Sequence, residues 1–469
     1  MTLSELTKHL YRTAQKHGNI LSPIFLCIIV GAFWSILWIH NIKVKPVYIG
    51  ELKAISLADW KTMWTWTDYE AYYRYSPTGL LAIGMIDRYV LSPWLGIAFS
   101  TQPTSQFAVA LRLVPIIILG FVLLALLVYL LCRALSLGVR AAFIAGLFFG
   151  VNKAFAYYFY FVSTLALVLL AIYAIGLLFF WTRYLKNRRE VYLIGYYACL
   201  LLAVGAWEQW MNLLPFLLLF SILLMSHNKK LDRGILVHGM IVPMLIFLVY
   251  MFFRYPTLLL ESSSVAEAQS VFSYPSVSLM IEDILSNASL LIAATFDSLL
   301  FPWPMLSQSV IYGYNMDTYN AYDKLYTQYS TLHYRAFTDW YAGLLFAFFL
   351  CFTLALINYL RKKPPQRSVP AMSLVLVYSG YAIYLPLMYR AYFILPGVAG
   401  LLGYKSSLSI LGASILIGWI IDRMLKSESK RISPRMASYI VLVLCGWILL
   451  NNCVKIAISF SFPWGTFPW

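Results

Sequence analysis

Across 469 residues, 61% of side chains are hydrophobic and only 12% charged, and the mean hydropathy is +0.74. Soluble domains average about 45–50% apolar and about 25% charged residues, so an assembly of water-soluble domains is excluded. The formal charge of +16 would suit a nucleic acid, but its placement along the chain argues against that.

The apolar residues come in long runs, and about 20 such residues in a helix cross a bilayer. A lipid-facing backbone must satisfy its own hydrogen bonds, which makes these runs helical. The alternation of a transmembrane β-barrel is missing. The predicted fold is therefore an all-α, polytopic integral membrane protein with about eleven transmembrane helices. In chain order they fall near 20–41, 107–131, 139–152, 160–182, 191–206, 210–226, 235–254, 340–360, 369–388, 403–422 and 436–457. The third is short enough for a half-helix. Residues 391–402 are apolar but broken by Pro396 and two glycines, and are read as a re-entrant or irregular stretch. The run after Leu21 is too long for a signal peptide and is read as a retained first helix.

Lys and Arg placement orients the chain. With the N-terminus in the cytoplasm, the cytoplasmic segments hold Lys8, Arg12 and Lys16, then Arg133 and Arg140, then Arg183, Lys186, Arg188 and Arg189. They continue with Lys229, Lys230 and Arg233, then Arg361, Lys362, Lys363 and Arg367, then Arg423, Lys426, Lys430, Arg431 and Arg435. Five acids share that side: Glu5, Glu190, Asp232, Asp422 and Glu428. The net charge is thus a signature of topology, with some attraction to anionic lipid, and no nucleic-acid partner is expected. The six cysteines fall in or at the ends of spans, so no disulfide framework is expected. The six histidines form no HExxH and no CxxC occurs, so no His or Cys metal site is expected.

Two outer connections are long, 42–106 and 255–339, and long loops in compact proteins usually carry function. Each contains a half-apolar stretch, 78–100 and 279–301, of the kind that lies in the interface plane. The first loop holds Trp-Thr-Trp-Thr-Asp68-Tyr-Glu70-Ala-Tyr-Tyr-Arg74-Tyr. A carboxylate here can act as general base toward a hydroxyl, with aromatic faces for a sugar or isoprenoid. An interfacial aromatic belt with an acid paired to Arg74 is the structural alternative. Arg112, near the start of the second span, has a planar fork suited to phosphate, or snorkels to the interface. Arg254, Arg390 and Lys405 lie near the same face, and Lys153 sits in a short outer turn. Glu208 stands between Trp207 and Trp210 in an outer turn, where it lines a cavity or is simply exposed. Tyr319, Tyr322, Tyr326 and Tyr329 share one helix face, a packing stripe or a sugar platform.

This layout resembles the C-type (GT-C) membrane glycosyltransferases that use polyprenyl-phosphate sugars. The likeness is carried by the acid-bearing loop after span one, the second long loop after span seven, and Ala-Leu-Arg112-Leu-Val-Pro with the helices that follow. These are similar to protein O-mannosyltransferases and lipid A aminoarabinose transferases. The stretch AVGAWEQWMNLLPFLLLFSILL is similar to a helix pair in phage-type O-antigen glucosyltransferases. The likeness covers about residues 20–340. It divides the chain into a GT-C-like catalytic module, 1–340, and C-terminal transmembrane helices, 341–469. Where those relatives carry adjacent acids close after span one, this chain has Asp68-x-Glu70 further on, with Glu51 and Asp59 nearer the span as other candidates for the base.

The resemblance implies an inverting hexosyltransferase in a bacterial inner membrane, facing the periplasm. It moves a hexose such as glucose from a polyprenyl-phosphate donor to a surface glycan or glycolipid acceptor, as in O-antigen or lipopolysaccharide modification. In that scheme Asp68 or Glu70 is the base, and Arg112, Arg254, Arg390 and Lys405 hold the donor phosphate. Trp207, Glu208, Trp210, Tyr319 and Tyr322 hold acceptor or sugar. No cofactor is implied, a divalent metal is left open, and a flippase and a donor synthase are the expected partners. Two other readings stand beside it. One is an O-antigen polymerase or ligase on a lipid diphosphate, using His333 and Arg335. The other is a lipid-linked oligosaccharide flippase or transporter, which needs charged residues deep in several spans.

Overall fold

The structure is a computed structural model. It describes residues 21–37, 82, 85, 89, 106–155, 165–206, 208–228, 232–254, 295–296, 333–362, 368–380, 407–427 and 434–461. Eleven helices of 12 or more described residues stand among them, one near each place the apolar runs indicate, and among the described residues there is no strand. They are α1 (Leu21–Leu37), α2 (Gln106–Ala134), α3 (Val139–Gly150), α4 (Leu165–Asn187), α5 (Glu190–Ala206) and α6 (Leu213–Asn228). Next comes α7, built from Arg233–Leu236, a π turn Val237–Ile241 and Val242–Arg254. The chain continues with α8 (His333–Lys362), α9 (Ser368–Ser379), α10 (Ser407–Ser427) and α11 (Pro434–Ser461). A 3₁₀ turn, Glu208–Asn212, leads into α6.

Five stretches are long and apolar enough to cross a membrane: Val114–Ala134, Ala166–Asn187, Arg233–Tyr250, Ser407–Lys426 and Met436–Val454. Large apolar side chains stand exposed on α7 (Leu245, Leu248, Val249) and α11 (Leu442, Val443, Leu450). Apolar patches of this kind on a helical bundle fit contact with lipid. The chain is thus a helical protein of membrane type.

Helix ends differ from the apolar runs in a consistent way. α4 runs to Asn187 rather than 182, and α10 to Ser427 rather than 422. The added turns carry Arg183, Lys186, Arg423 and Lys426, which are good helix formers whatever their charge. α8 starts at His333, seven residues before the apolar run, so His333 and Arg335 lie on its first turn. α9 ends at Ser379, where the run suggested 388. Ser136 (φ 68°) and Arg188 (φ 53°) take the left-handed conformation that closes α2 and α4.

α10 is the most deeply buried of the five long stretches, and it packs against both α9 and α3. Between helices in lipid, close packing and small residues replace the hydrophobic drive. α10 supplies them. A Cβ on Gly412 would lie 2.7 Å from the Ser373 carbonyl oxygen and the Val377 nitrogen. A Cβ on Gly418 would lie 3.0 Å from the Ala145 methyl group and 3.2 Å from the Ala141 carbonyl. The C-terminal helices are therefore interleaved with those of the N-terminal half.

α3 and α9 each have 12 residues, about 18 Å of helix, against a hydrocarbon core of about 30 Å. α3 starts at the end of the bundle rich in Arg and Lys, here the basic end, whereas α9 finishes beside Ser409, two residues into α10, and the turn 208–212. Gly150, the last residue of α3, lies against Ala125, nine residues from the basic end of α2.

Candidate functional site

The predicted site residues fall unevenly on the structure. Arg112 lies on α2, six residues after its start at Gln106, and Arg254 closes α7. Glu208 opens the 3₁₀ turn that contains Trp210. Asp68, Glu70, Trp207, Tyr319, Tyr322, Arg390 and Lys405 lie outside the described residues, as do loops 42–106 and 255–339 apart from Ala82, Met85, Tyr89, Gln106, Thr295, Phe296 and 333–339.

Trp210 is a packed residue. Its ring is 1% exposed and meets Tyr250 edge-on at 5.1 Å and Phe247 at 6.2 Å, joining the turn to α7. Its indole N–H finds no acceptor among the described residues. Two residues on, buried Asn212 donates from Nδ2 to the Gly380 carbonyl at 2.9 Å, tying the same turn to the end of α9. There the Ser379 hydroxyl is buried and has no partner among the described residues. Ser409 on α10 donates to the Val377 carbonyl at 2.8 Å. The far end of α9 is thus an apolar joint with polar groups set into it.

The far end of α3 has the same character and adds a charge. The buried Trp34 on α1 donates from Nε1 to the Gly150 carbonyl at 2.7 Å, which satisfies one of the carbonyls a helix end leaves open. Phe155 then stacks on Phe121 at 5.5 Å and meets Phe149 at 5.0 Å. Between them, Asn152 accepts from the Ala154 N–H at 3.0 Å, and the Lys153 N–H donates to Asn452 Oδ1 on α11 at 3.0 Å. Asn452 also donates from Nδ2 to the Ile448 carbonyl at 2.8 Å. Asn152 is 1% exposed, and its Nδ2 has no acceptor among the described residues. A buried polar group left this way costs about 1–3 kcal/mol, so it calls for a partner.

The basic end is built as a set of ties. Asp422 of α10, 4% exposed, accepts the Gly138 N–H at 2.8 Å and so caps the start of α3 across the bundle. Lys426 donates to its other oxygen at 2.6 Å. Arg133 donates to the Leu137 carbonyl at 2.7 Å. Arg188 pairs with Asp232, which in turn caps the start of α7 by accepting the Ile235 N–H. Burial works against the Asp232 charge, but the hydrogen bond and charge of Arg188 outweigh it and hold the carboxyl below its ordinary range. Above this pair, Tyr197 hydrogen-bonds His238 in the π turn, and Tyr196 donates to the His238 carbonyl at 2.9 Å.

Among the described residues no three of His, Cys, Asp or Glu gather as a metal site would require. Two groups went unnoticed in the sequence. Asn152 and the Asn451–Asn452 pair are polar breaks in otherwise apolar helices, and that was their available signal. Asp422 looked like one of a few cytoplasmic acids, and nothing in its local sequence points to Gly138, 284 residues away. Compared with protein-family models, curated proteins and solved structures, the chain matches none of them.

Proposed function

We propose that this protein is an inverting membrane glycosyltransferase that moves a hexose from a polyprenyl phosphate to a glycan or glycolipid acceptor at the far face of the bundle. The far face is then the extracytoplasmic one, with the N-terminus in the cytoplasm and about eleven helices in the membrane. The observation that carries the reading is the order along the chain. An acid-bearing segment follows α1, Arg112 heads α2, and a second long segment follows α7. Asp68 or Glu70 takes the proton of the acceptor hydroxyl. The oxygen attacks the anomeric carbon opposite the phosphate, the C–O bond to phosphate breaks, and the phosphate leaves as the anion. Arg112, with Arg254, Arg390 or Lys405, offsets that charge. A phosphate leaves more easily than an alcohol, so a second carboxylate acid is not obligatory, in contrast to glycosidases.

The test is transfer in proteoliposomes loaded with radiolabelled polyprenyl-phosphate hexoses and an acceptor glycolipid. Wild type forms a new glycosidic bond, and Asp68→Asn slows it by about a hundredfold or more, the usual scale for a general base. Full activity in Asp68→Asn removes Asp68 as the base and leaves Glu70, Asp59 and Glu51.

A second reading, a lipid-linked glycan transporter, has one observation in its favour. α3 and α9 are half-length helices with buried polar ends beside the central α10, a design found in transporters. Movement of intact lipid-linked glycan across the vesicle without bond formation would establish it in place of the first.

A further inference from the structure

α7 is built in two parts that are held differently. Its basic-end part is clamped. Asp232 caps it and pairs with Arg188, the His238 side chain meets Tyr197, and the His238 carbonyl accepts from Tyr196 at 2.9 Å. Its far part, Val242–Arg254, turns an apolar face outward, with Leu245, Leu248 and Val249 all exposed. Between the two lies the π turn Val237–Ile241, and Pro243 explains it. A proline has no N–H, and its ring crowds the carbonyl four residues back, here that of Gly239. The turn widens, so that the Val242 N–H reaches the Val237 carbonyl, five residues back. The His238 carbonyl, five residues before Pro243, gets no such partner from the helix, and Tyr196 supplies one. The ladder of α7 is thus interrupted here and bridged by a side chain from α5. Interruptions of this kind are where helices bend, and π turns recur at functional sites.

Two further donors border the same turn. Ser221 on α6 and Trp181 on α4 are 0% and 1% exposed. Neither the Ser221 hydroxyl nor the Trp181 indole N–H has a partner among the described residues. Both lie against Gly239, where a Cβ would run into the Ser221 oxygen and sit 3.1 Å from Trp181 Cζ2. Buried donors left unpaired are costly, and these two face the stretch of backbone that Pro243 has loosened. We infer that α7 is hinged at this turn. In the form seen here, Tyr196 holds the His238 carbonyl. In the second form the turn opens, a carbonyl of the turn swings to Ser221 and Trp181, and the far part of α7 tilts as a lever. One hydrogen-bond partner is exchanged for another, which keeps two packings of the same helix close in energy. The hinge goes beyond the transfer reading and does not rest on it.

Hydrogen exchange read by mass spectrometry on full-length protein in nanodiscs tests the hinge without any substrate. In wild type, the amides of 238–246 should exchange about tenfold faster than those of 247–253. Pro243→Ala restores the missing N–H and should slow exchange in 238–246 about tenfold. Tyr196→Phe removes a bond of the form seen here and should speed it about fivefold, whereas Ser221→Ala removes a bond of the second form and should slow it by a similar factor. The opposite signs are the signature of two forms. A Ser221 that only fills space would leave exchange in 238–246 unchanged, and that result overturns the hinge. So does unchanged exchange in Pro243→Ala, or slowing in Ser221→Ala that extends evenly along the whole chain. Wild-type exchange no faster in 238–246 than in 247–253 also overturns it, and that comparison stands even where a variant does not fold.

Discussion

The two ends of α3 differ in kind although 12 residues separate them. At its start, the Gly138 N–H is met by Asp422, Asp422 by Lys426, and the Leu137 carbonyl by Arg133. At its finish, one carbonyl is met by Trp34, while the buried Asn152 donor is left open next to Lys153. α9 differs, since its finish is tied to α10 by Ser409 and to the turn before α6 by Asn212, although the Ser379 hydroxyl finds no partner among the described residues. The closed end fixes α3 to α10 and to the basic surface.

The comparison can be broken most severely at the seam between α3 and α10. Gly418→Val pushes against Ala145 and the Ala141 carbonyl and should cost about 3 kcal/mol through overpacking. Thermal unfolding in detergent should show it as the largest fall of any change named here. Removing the closed end directly, Asp422→Ala strips the cap from Gly138 and should cost about 2 kcal/mol. Asp422→Asn, which keeps an accepting oxygen, should recover part of that in the same assay.

The tie at Asp232 is weaker. The ion pair is part-exposed and contributes little by itself, so Asp232→Ala should cost about 1 kcal/mol, mostly as a lost helix cap. Its carboxyl is held below the ordinary range. Its contribution is therefore present above the unfolded value of about 3.9 and is lost as pH falls through the lower folded value. Melting temperatures of wild type and Asp232→Asn should differ at pH 6 and begin to converge only as pH falls below about 4; a gap that widens on acidification would contradict the assignment. Smallest of all is Gly446→Ala on α11. A methyl there meets nothing within 4 Å, so stability should hold or rise by up to about 1 kcal/mol from helix propensity.

Helix positions were legible because a bilayer demands long apolar runs, and each run reads off the chain without knowledge of its neighbours. Their ends were less so. Lys186 and Lys426 continue helices after hydropathy has fallen, and α9 stops at Ser379 although apolar residues follow. The shortness of α3 could be read, since Gly150 and Asn152 interrupt its run. What could not be read was partnership. Asp422 meeting Gly138, Asn452 meeting Lys153 and Asn212 meeting Gly380 are contacts between segments 168 to 299 residues apart, and no local pattern encodes them. Trp210 drew notice as an aromatic in a far-end turn. The structure places it against Tyr250 and Phe247, a packing role that a sequence motif does not separate from a binding one.

The account is tested most directly by hexose transfer in proteoliposomes, measured on Asp68→Asn and Asp422→Ala side by side with their melting temperatures. Asp422→Ala should melt earlier, having lost the cap on Gly138, and transfer as wild type does wherever it is folded, while Asp68→Asn should melt as wild type and transfer about a hundredfold more slowly. No transfer by wild type, or an equal loss of transfer in both variants, would contradict the account.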